Sequence, residues 1–389
     1  MLKTYFDGTH RTRHPAETWQ AIRPLLARYG ISRVADVTGL DDLGIPVTMA
    51  VRPLARTLSV AQGKGATLDA ARVSGAMEAI EVWHAERTVP KPIARQTAAV
   101  DMPLPYPVTA LEQHAGSLLT PHTRLDWVNG RSLIDGRPVP VPAAAVRLGR
   151  EAHADWRMHL PSASTNGLAS GNTTEEAVVH GLYEVIEREA ISDLPSGHPG
   201  AQLIDPWSID AAECTTAIGR LTAAGVWFEL WHLPTPFGVP VMACYLWRED
   251  QPTVLVSGSG AHLSPAVALA RAITEAAQSR LTLIAGSRED TAPVVYRPGV
   301  YQAPAATEVP CTPWSRITEA YALHFDTHHD EAAHLAKAVT AATGTPPFAI
   351  DLTAGAYARE EFAVVKVCAP HLRYDARHTI PRPRREEQP

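Results

Sequence analysis

Two pairs of glutamates at E-x-x-E spacing stand at matching distances behind glycines. In "GKGATLDAARVSGAMEAIEVW" Glu78 and Glu81 follow Gly65 by 13 and 16 residues, and in "GNTTEEAVVHGLYEVIER" Glu184 and Glu187 follow Gly171 by the same intervals. A third stretch, "GAHLSPAVALARAITEAAQSR", carries Glu275 and Gln278 at i, i+3 behind Gly260, with two extra residues. On a helix such neighbours share a face, where like charges repel by roughly a few tenths of a kcal/mol. No lysine offsets the Glu184–Glu187 pair, and Arg188 is expected to point elsewhere. The pattern asks for a cation. Magnesium binds through a few carboxylates together with substrate phosphates. Glycine-ended loops running into helices offer backbone N–H groups and a positive dipole end to anions. Lys64, Arg188 and Arg280 are the candidate phosphate partners. Together these residues point to a nucleoside triphosphate with magnesium, although no GxxxxGK[ST] loop is present.

Glu176 has a blander reading as well. At 100° per residue it falls near the side of Glu184 and Glu187, with His180 between them, while Val178, Leu182, Val185 and Ile186 form a separate apolar stripe. Yet "TTEE" is also a capping box with Thr173 as N-cap, so Glu176 could simply hold a helix start. His84 and His180 sit beside the acids as candidate catalytic groups, although a helical histidine is more often structural. Trp83 and Trp231 could stack on a base, but a buried tryptophan more often belongs to a core.

The elements that must carry these side chains repeat. "ISRVADVTGLDDLGIPVTMAV" (31–51), "VWFELWHLPTPFGVPVMACYL" (226–246) and, more faintly, "PPFAIDLTAGAYAREEFAVVKVCAP" (346–370) each read as two strands about a Gly/Pro turn. The expected fold class is α/β (α+β), with mixed, largely antiparallel sheets built from repeated hairpins and helices packed on their faces. One catalytic domain is expected over 1–375, with a Pro-rich, irregular or peripheral insertion around 88–160 and a flexible tail over 376–389.

Composition removes several function classes. The 389 residues are 45% hydrophobic and 20% charged with net charge −6, a globular balance without a basic stripe for nucleic acid. No run approaches the ~20 apolar residues of a membrane span, and the start has no apolar signal core. Cys214, Cys244, Cys311 and Cys368 show no CxxC pairing, which fits a reducing cytoplasm and opposes a zinc or disulfide scaffold.

"STNGLASGNTTEEAVVHGLYEVIERE", with "GKGATLDAARVSGAMEAIEVW" before it and "AITEAAQSRLTLIAGSRED" after it, resembles the YcaO family over about residues 5–370. The resemblance implies an ATP- and Mg2+-dependent enzyme that phosphorylates a peptide backbone amide oxygen, so that a nucleophile attacks the amide carbon and phosphate leaves. It implies Glu78, Glu81, Glu184 and Glu187 as magnesium ligands. Asn172, Glu176 and Arg188 would line the nucleotide, and Glu176 would meet the sugar or a metal. "GTHRTRHPAETW" resembles the family's entry segment, with Arg11 at a basic and Thr18 at a hydroxyl position. Ser170 or a backbone donor would stand in where Ala169 replaces a serine, and either Arg280 or Arg288 would meet phosphate.

Azolines, thioamides and macroamidines are the products that the resemblance implies. A Pro-x-Pro-x-Pro end typical of azoline-forming relatives is represented only by Pro381-Arg382-Pro383. The stand-alone look favours thioamide formation with a TfuA-like partner and an external sulfur donor. A ribosomally made precursor peptide is the expected substrate, with a TfuA-like or leader-binding protein as partner; a homodimer is left open. Two rivals remain: a non-catalytic ATP-binding accessory protein, and a di-iron reading of Glu81-x-x-His84, which the β-rich repeats oppose.

Overall fold

The computed structural model of the protein describes residues 2–88, 90–113, 116–149, 160–161, 163–192, 194, 198, 200–248, 251–288, 291, 310–355 and 360–374. A short hairpin, β1 Thr4–Phe6 and β2 Thr9–Arg11, precedes helix α1 Pro15–Ile22. Strands β3 Arg33–Asp36, β4 Val47–Val51 and β5 Val60–Lys64 lead into α2 Leu68–Arg87. Then come β6 Ala94–Ala98, β7 Arg124–Ser132 and β8 Pro138–Pro142, and β9 Leu168–Gly171 runs into α3 Thr174–Ser192. After β10 Gln202–Leu203 and α4 Ala212–Ala223 follow β11 Trp227–Leu233, β12 Val241–Arg248, β13 Gln251–Ala261 and α5 Pro265–Ala285. Helices α6 Trp314–Ala320 and α7 His328–Thr343 precede β14 Phe348–Asp351 and β15 Ala363–Cys368.

The class is α/β with antiparallel ladders, as the hairpin signals require. The repeat is larger than a hairpin. In β3-β4-β5 the middle strand pairs antiparallel with both neighbours, and α2 follows the third strand. In β11-β12-β13 the same order precedes α5. The third unit is β14-β15-β9 followed by α3, but here the third strand and its helix come earlier in the chain than the hairpin they complete. Backbone pairing depends on edges that meet in space, so this reordering leaves the unit's geometry unchanged.

Glycines let each helix lie close on its third strand. A Cβ on Gly63 would stand 2.1 Å from Ala71 O, one on Gly171 2.5 Å from Ala177 N, and one on Gly260 2.3 Å from Ala268 O. These are backbone contacts that no side-chain shift relieves. Gly171 therefore answers to helix packing; it has no positive φ.

The Pro-rich stretch 88–160 differs from the expectation of a peripheral insertion. Its strand β7 pairs with β6, β8 and β14 inside a six-stranded sheet, and Trp127 and Val128 are fully buried. Proline is tolerated because β8 pairs on one side only. The tail at 376–389 lies outside the described residues. Apolar faces of α2, α3 and α5 bury Ile80, Ile186 and Ile273 completely. Each such side chain contributes about 1.5–3 kcal/mol, which anchors the three helices whose polar faces converge.

Candidate active site

The polar faces of α2, α3 and α5 line one cleft of about 860 Å3. Three contacts close a ring around it, each from the residue before a glycine at or near the end of a third strand to the helix of a neighbouring unit. Ser170 Oγ at the end of β9 donates to Glu81 Oε1 on α2 at 2.5 Å. Ser259 Oγ on β13 donates to Glu187 Oε1 on α3 at 2.6 Å, and Ala261 N donates to the other oxygen at 3.1 Å. Lys64, last residue of β5, pairs with Glu275 on α5.

The register of the third helix departs from the sequence reading. A Cβ on Gly65, Gly171 or Gly260 would meet the backbone nitrogen of Ala71, Ala177 or Ala272, which makes these alanines equivalent. Glu78 and Glu184 lie seven residues beyond theirs, whereas Glu275 lies three beyond its own. Ser279 and Thr282 thus take the places of the paired acids, and the long lysine side chain bridges to a glutamate one turn earlier. Two corners of the ring pair an acid with a neutral hydroxyl; the third carries its own cation.

Burial therefore acts differently on the acids. Burial, with the charges of Glu184 and Glu78 beside it, pushes Glu81 up to about 8. Glu184 is pushed up to about 7 by burial, Arg188 opposing and Glu187 adding to the rise. Burial also raises Glu78 against the pull of Arg288 and Lys64. Burial would raise Glu275 too, but Lys64 and Arg188 more than offset it and hold its carboxyl below the usual range.

At another part of the cleft Glu176 accepts from Thr12 N at 3.0 Å, Thr12 Oγ1 at 2.7 Å and Asn172 Nδ2 at 3.0 Å, with Arg11 Nε 3.6 Å away. These partners outweigh its burial and keep it below the carboxylate range. Thr18 Oγ1 donates to Asn172 Oδ1 at 2.8 Å. The capping box is half formed: Thr173 Oγ1 accepts from Glu176 N at 3.2 Å, while the Glu176 carboxylate turns across to the N-terminal hairpin.

Arg11, Thr18, Lys64, Glu78, Glu81, Ser170, Asn172, Glu176, His180, Glu184, Glu187, Arg188 and Arg288 all line the cleft. Arg188 does not point elsewhere: it stands at i+4 from Glu184, and its Nη1 lies 4.0 Å from Glu187 Oε1. Arg288 Nη1 lies 3.8 Å from Glu78 Oε1. Two expected residues fall outside. Arg280 is buried against Asp41, Nε to Oδ2 2.8 Å, because five residues carry it about 140° around α5 from Glu275. His84 is fully buried, its Nδ1 bonded to Ile80 O at 2.8 Å and its ring packed by Tyr29, Trp83 and Phe362. Trp83 and Trp231 pack in the core regions as well.

Arg271 is the residue that sequence reading missed. It stands one turn before Glu275 on the same face of α5, a spacing that could have revealed it. Its Nη2 lies 3.3 Å from His180 Nε2, and its buried Nε has no hydrogen-bond partner. Burial, and then Arg271, hold His180 well below its ordinary value, so the ring is neutral; accepting from Arg271 at Nε2 leaves the proton on Nδ1, 3.5 Å from Ser170 O.

This donor set fits a cation and an anion together. Glu81 and Glu184 are carboxyls raised by burial whose ionised form a further positive charge would favour, and Arg271 Nε lacks an acceptor. Among the described residues no three acidic, histidine or cysteine groups enclose a metal by themselves.

The family model described as YcaO cyclodehydratase, ATP- and Mg2+-binding, matches residues 62–373, and the chain belongs to the YcaO family. An uncharacterised protein from Rhizobium leguminosarum bv. trifolii, named for its place in the tfuA 3' region, is 40% identical over 309 residues, covering 75% of this chain and 71% of its own. YcaO from Methanopyrus kandleri, bound with AMPPCP and Mg2+, is 25% identical with a TM-score of 0.70, over 96% of this chain and 95% of that one. A heterocyclase in complex with substrate and cofactor is 20% identical with a TM-score of 0.77, over 94% of this chain. This chain spans 53% of that heterocyclase, and the likeness is one of fold. Membership places the protein among ATP-dependent, cyclodehydratase-like enzymes of peptide modification. Among the described residues no helix is long and apolar enough to cross a membrane.

Proposed function

We propose that the protein uses ATP and magnesium to activate a backbone amide of a ribosomally made peptide by phosphorylating its oxygen. One observation carries this: two matched helices present Glu78, Glu81, Glu184 and Glu187 to the same cleft as Lys64, Arg188, Arg271 and Arg288. The four glutamates would hold magnesium, which when bound would neutralise charge on the phosphates and align them. The arginines and Lys64 would meet the remaining phosphate charge, and Arg11, Thr18, Asn172 and Glu176 would hold the rest of the nucleotide. An amide oxygen is a weak nucleophile, so the residues' task is alignment and charge stabilisation. The amide oxygen bonds to the γ-phosphorus as ADP leaves; the nucleophile then bonds to the amide carbon, and the C–O bond breaks with departure of phosphate.

Thioamide formation with external sulfide is the product we favour over an azoline or amidine, supported by the relative from a tfuA 3' region. A TfuA-like or leader-binding partner belongs to the same reading. A non-catalytic ATP-binding accessory role is separated from it by ATP turnover with the peptide. The mechanism is tested with peptide labelled with oxygen-18 at the modified amide. Labelled inorganic phosphate is expected in each turnover, whichever nucleophile attacks. Unlabelled phosphate with full peptide conversion would mean that ATP does something other than activate the amide.

A further inference from the structure

The cleft continues past Glu81 to the C-terminal end of α2, and what lines it changes there. Three connections build this end. The Glu86 carboxylate accepts from Thr57 Oγ1 at 2.7 Å, from Thr57 N at 2.9 Å and from Arg56 N at 3.1 Å, and Arg52 pairs with its other oxygen at 2.7 Å. That fixes the segment leading to β5 and sets Leu58 at the cleft. Leu148 N donates to Ala85 O at 3.0 Å, which brings Leu148 to the same helix end. Val82, next to Glu81, supplies the helix's own apolar surface. Leu58, Val82 and Leu148 all line the cleft. Val82 and Leu148 are buried in the main core, so the wall is rigid; Leu58 is half-buried.

Position along α2 says what this end is for. The contacts of Glu176, Asn172 and Thr18 gather where α3 begins, while the acid pair Glu78 and Glu81 stands in the middle of α2. From Glu81 to Glu86 the helix rises about 7.5 Å, the span of about two residues of an extended peptide. A phosphoryl acceptor must lie in line beyond the terminal phosphate, away from the base. The end of α2 past the acid pair offers such an acceptor an apolar wall.

We infer that Leu58, Val82 and Leu148 form a subsite for an apolar side chain of the peptide, adjacent to the amide that is modified. The inference rests on the proposed amide activation. A charged side chain here would lose its water to three aliphatic groups, and the nearby Arg52–Glu86 ion pair does not line the cleft.

The test uses the full chain with Mg2+ and AMPPCP, and as probes N-acetyl-Gly-Leu-amide, N-acetyl-Gly-Lys-amide and N-acetyl-Gly-Glu-amide, each titrated by ligand-observed NMR. Wild type is expected to hold the leucine probe about tenfold or more tighter than either charged one. Leu58→Glu is expected to lose that preference and to favour the lysine probe, Leu58→Met to keep the leucine preference, and all three to bind AMPPCP alike. AMPPCP binding in the wild type without a leucine preference, or a preference that survives Leu58→Glu, would overturn the subsite alone. Failure of the wild type to bind AMPPCP would overturn the nucleotide reading and this inference with it.

Discussion

The Ser170 hydroxyl donates to Glu81 at 2.5 Å across the boundary between two units, from residues 89 positions apart. Ser259 and Glu187 repeat the contact at 2.6 Å around the ring. Each serine fixes one carboxylate oxygen and supplies no charge. The acids are thus positioned by neutral hydroxyls rather than by a cation of the protein.

Replacing one acid at a time separates ligation from folding. Glu81→Gln retains a carbonyl oxygen for Ser170 and is expected to keep the wild-type fold by circular dichroism. Glu187→Gln keeps Ser259 but turns an N–H toward Ala261 N, and should lose about 1–3 kcal/mol of stability. Both are expected to lower magnesium-dependent ATP turnover by roughly a hundredfold or more. Wild-type phosphate release from either folded variant would remove that glutamate from the ligand set.

Cation binding should release protons near neutrality. Glu81 at about 8 and Glu184 at about 7 both lie above the ordinary glutamate value of ~4.3. Raised in the folded state, these groups contribute stability that is present below the unfolded value and is lost as pH rises through 7 to 8. A divalent cation needs the ionised form and must displace the protons. Affinity for Mg2+ with AMPPCP is therefore expected to tighten from pH 6 to 8.5. Calorimetry in buffers of different ionisation enthalpy should show proton release at pH 7; a heat independent of buffer would contradict the assignment.

Arg280 is expected to matter for stability alone. Removing it as Arg280→Met leaves Asp41 buried and unpaired, a loss of about 3–5 kcal/mol, while AMPPCP affinity should stay within twofold of wild type. The double variant with Asp41→Asn should recover part of the stability. A tenfold loss of AMPPCP affinity in a folded Arg280→Met protein would restore Arg280 to the phosphate site.

Spacing in the chain decided a good deal. The intervals from Gly65 to Glu78 and from Gly171 to Glu184 survive as true equivalences, because a strand end, a helix start and a fixed helical pitch convert sequence distance directly into position. The hairpin signals likewise gave the antiparallel class, since alternation and Gly/Pro turns act locally. Tertiary structure decided the rest. Only packing shows that β14 and β15 complete a unit begun by β9, that β7 of the proline-rich stretch lies within a sheet, and that Glu275 sits one turn out of register and takes Lys64 as its cation. Direction around a helix separates Arg271, which reaches the cleft, from Arg280, which meets Asp41, and neighbours supplied by distant segments bury His84 while leaving His180 at the site. Local periodicity names the faces of an element, but what each face meets is settled by long-range contacts that no short window of sequence contains.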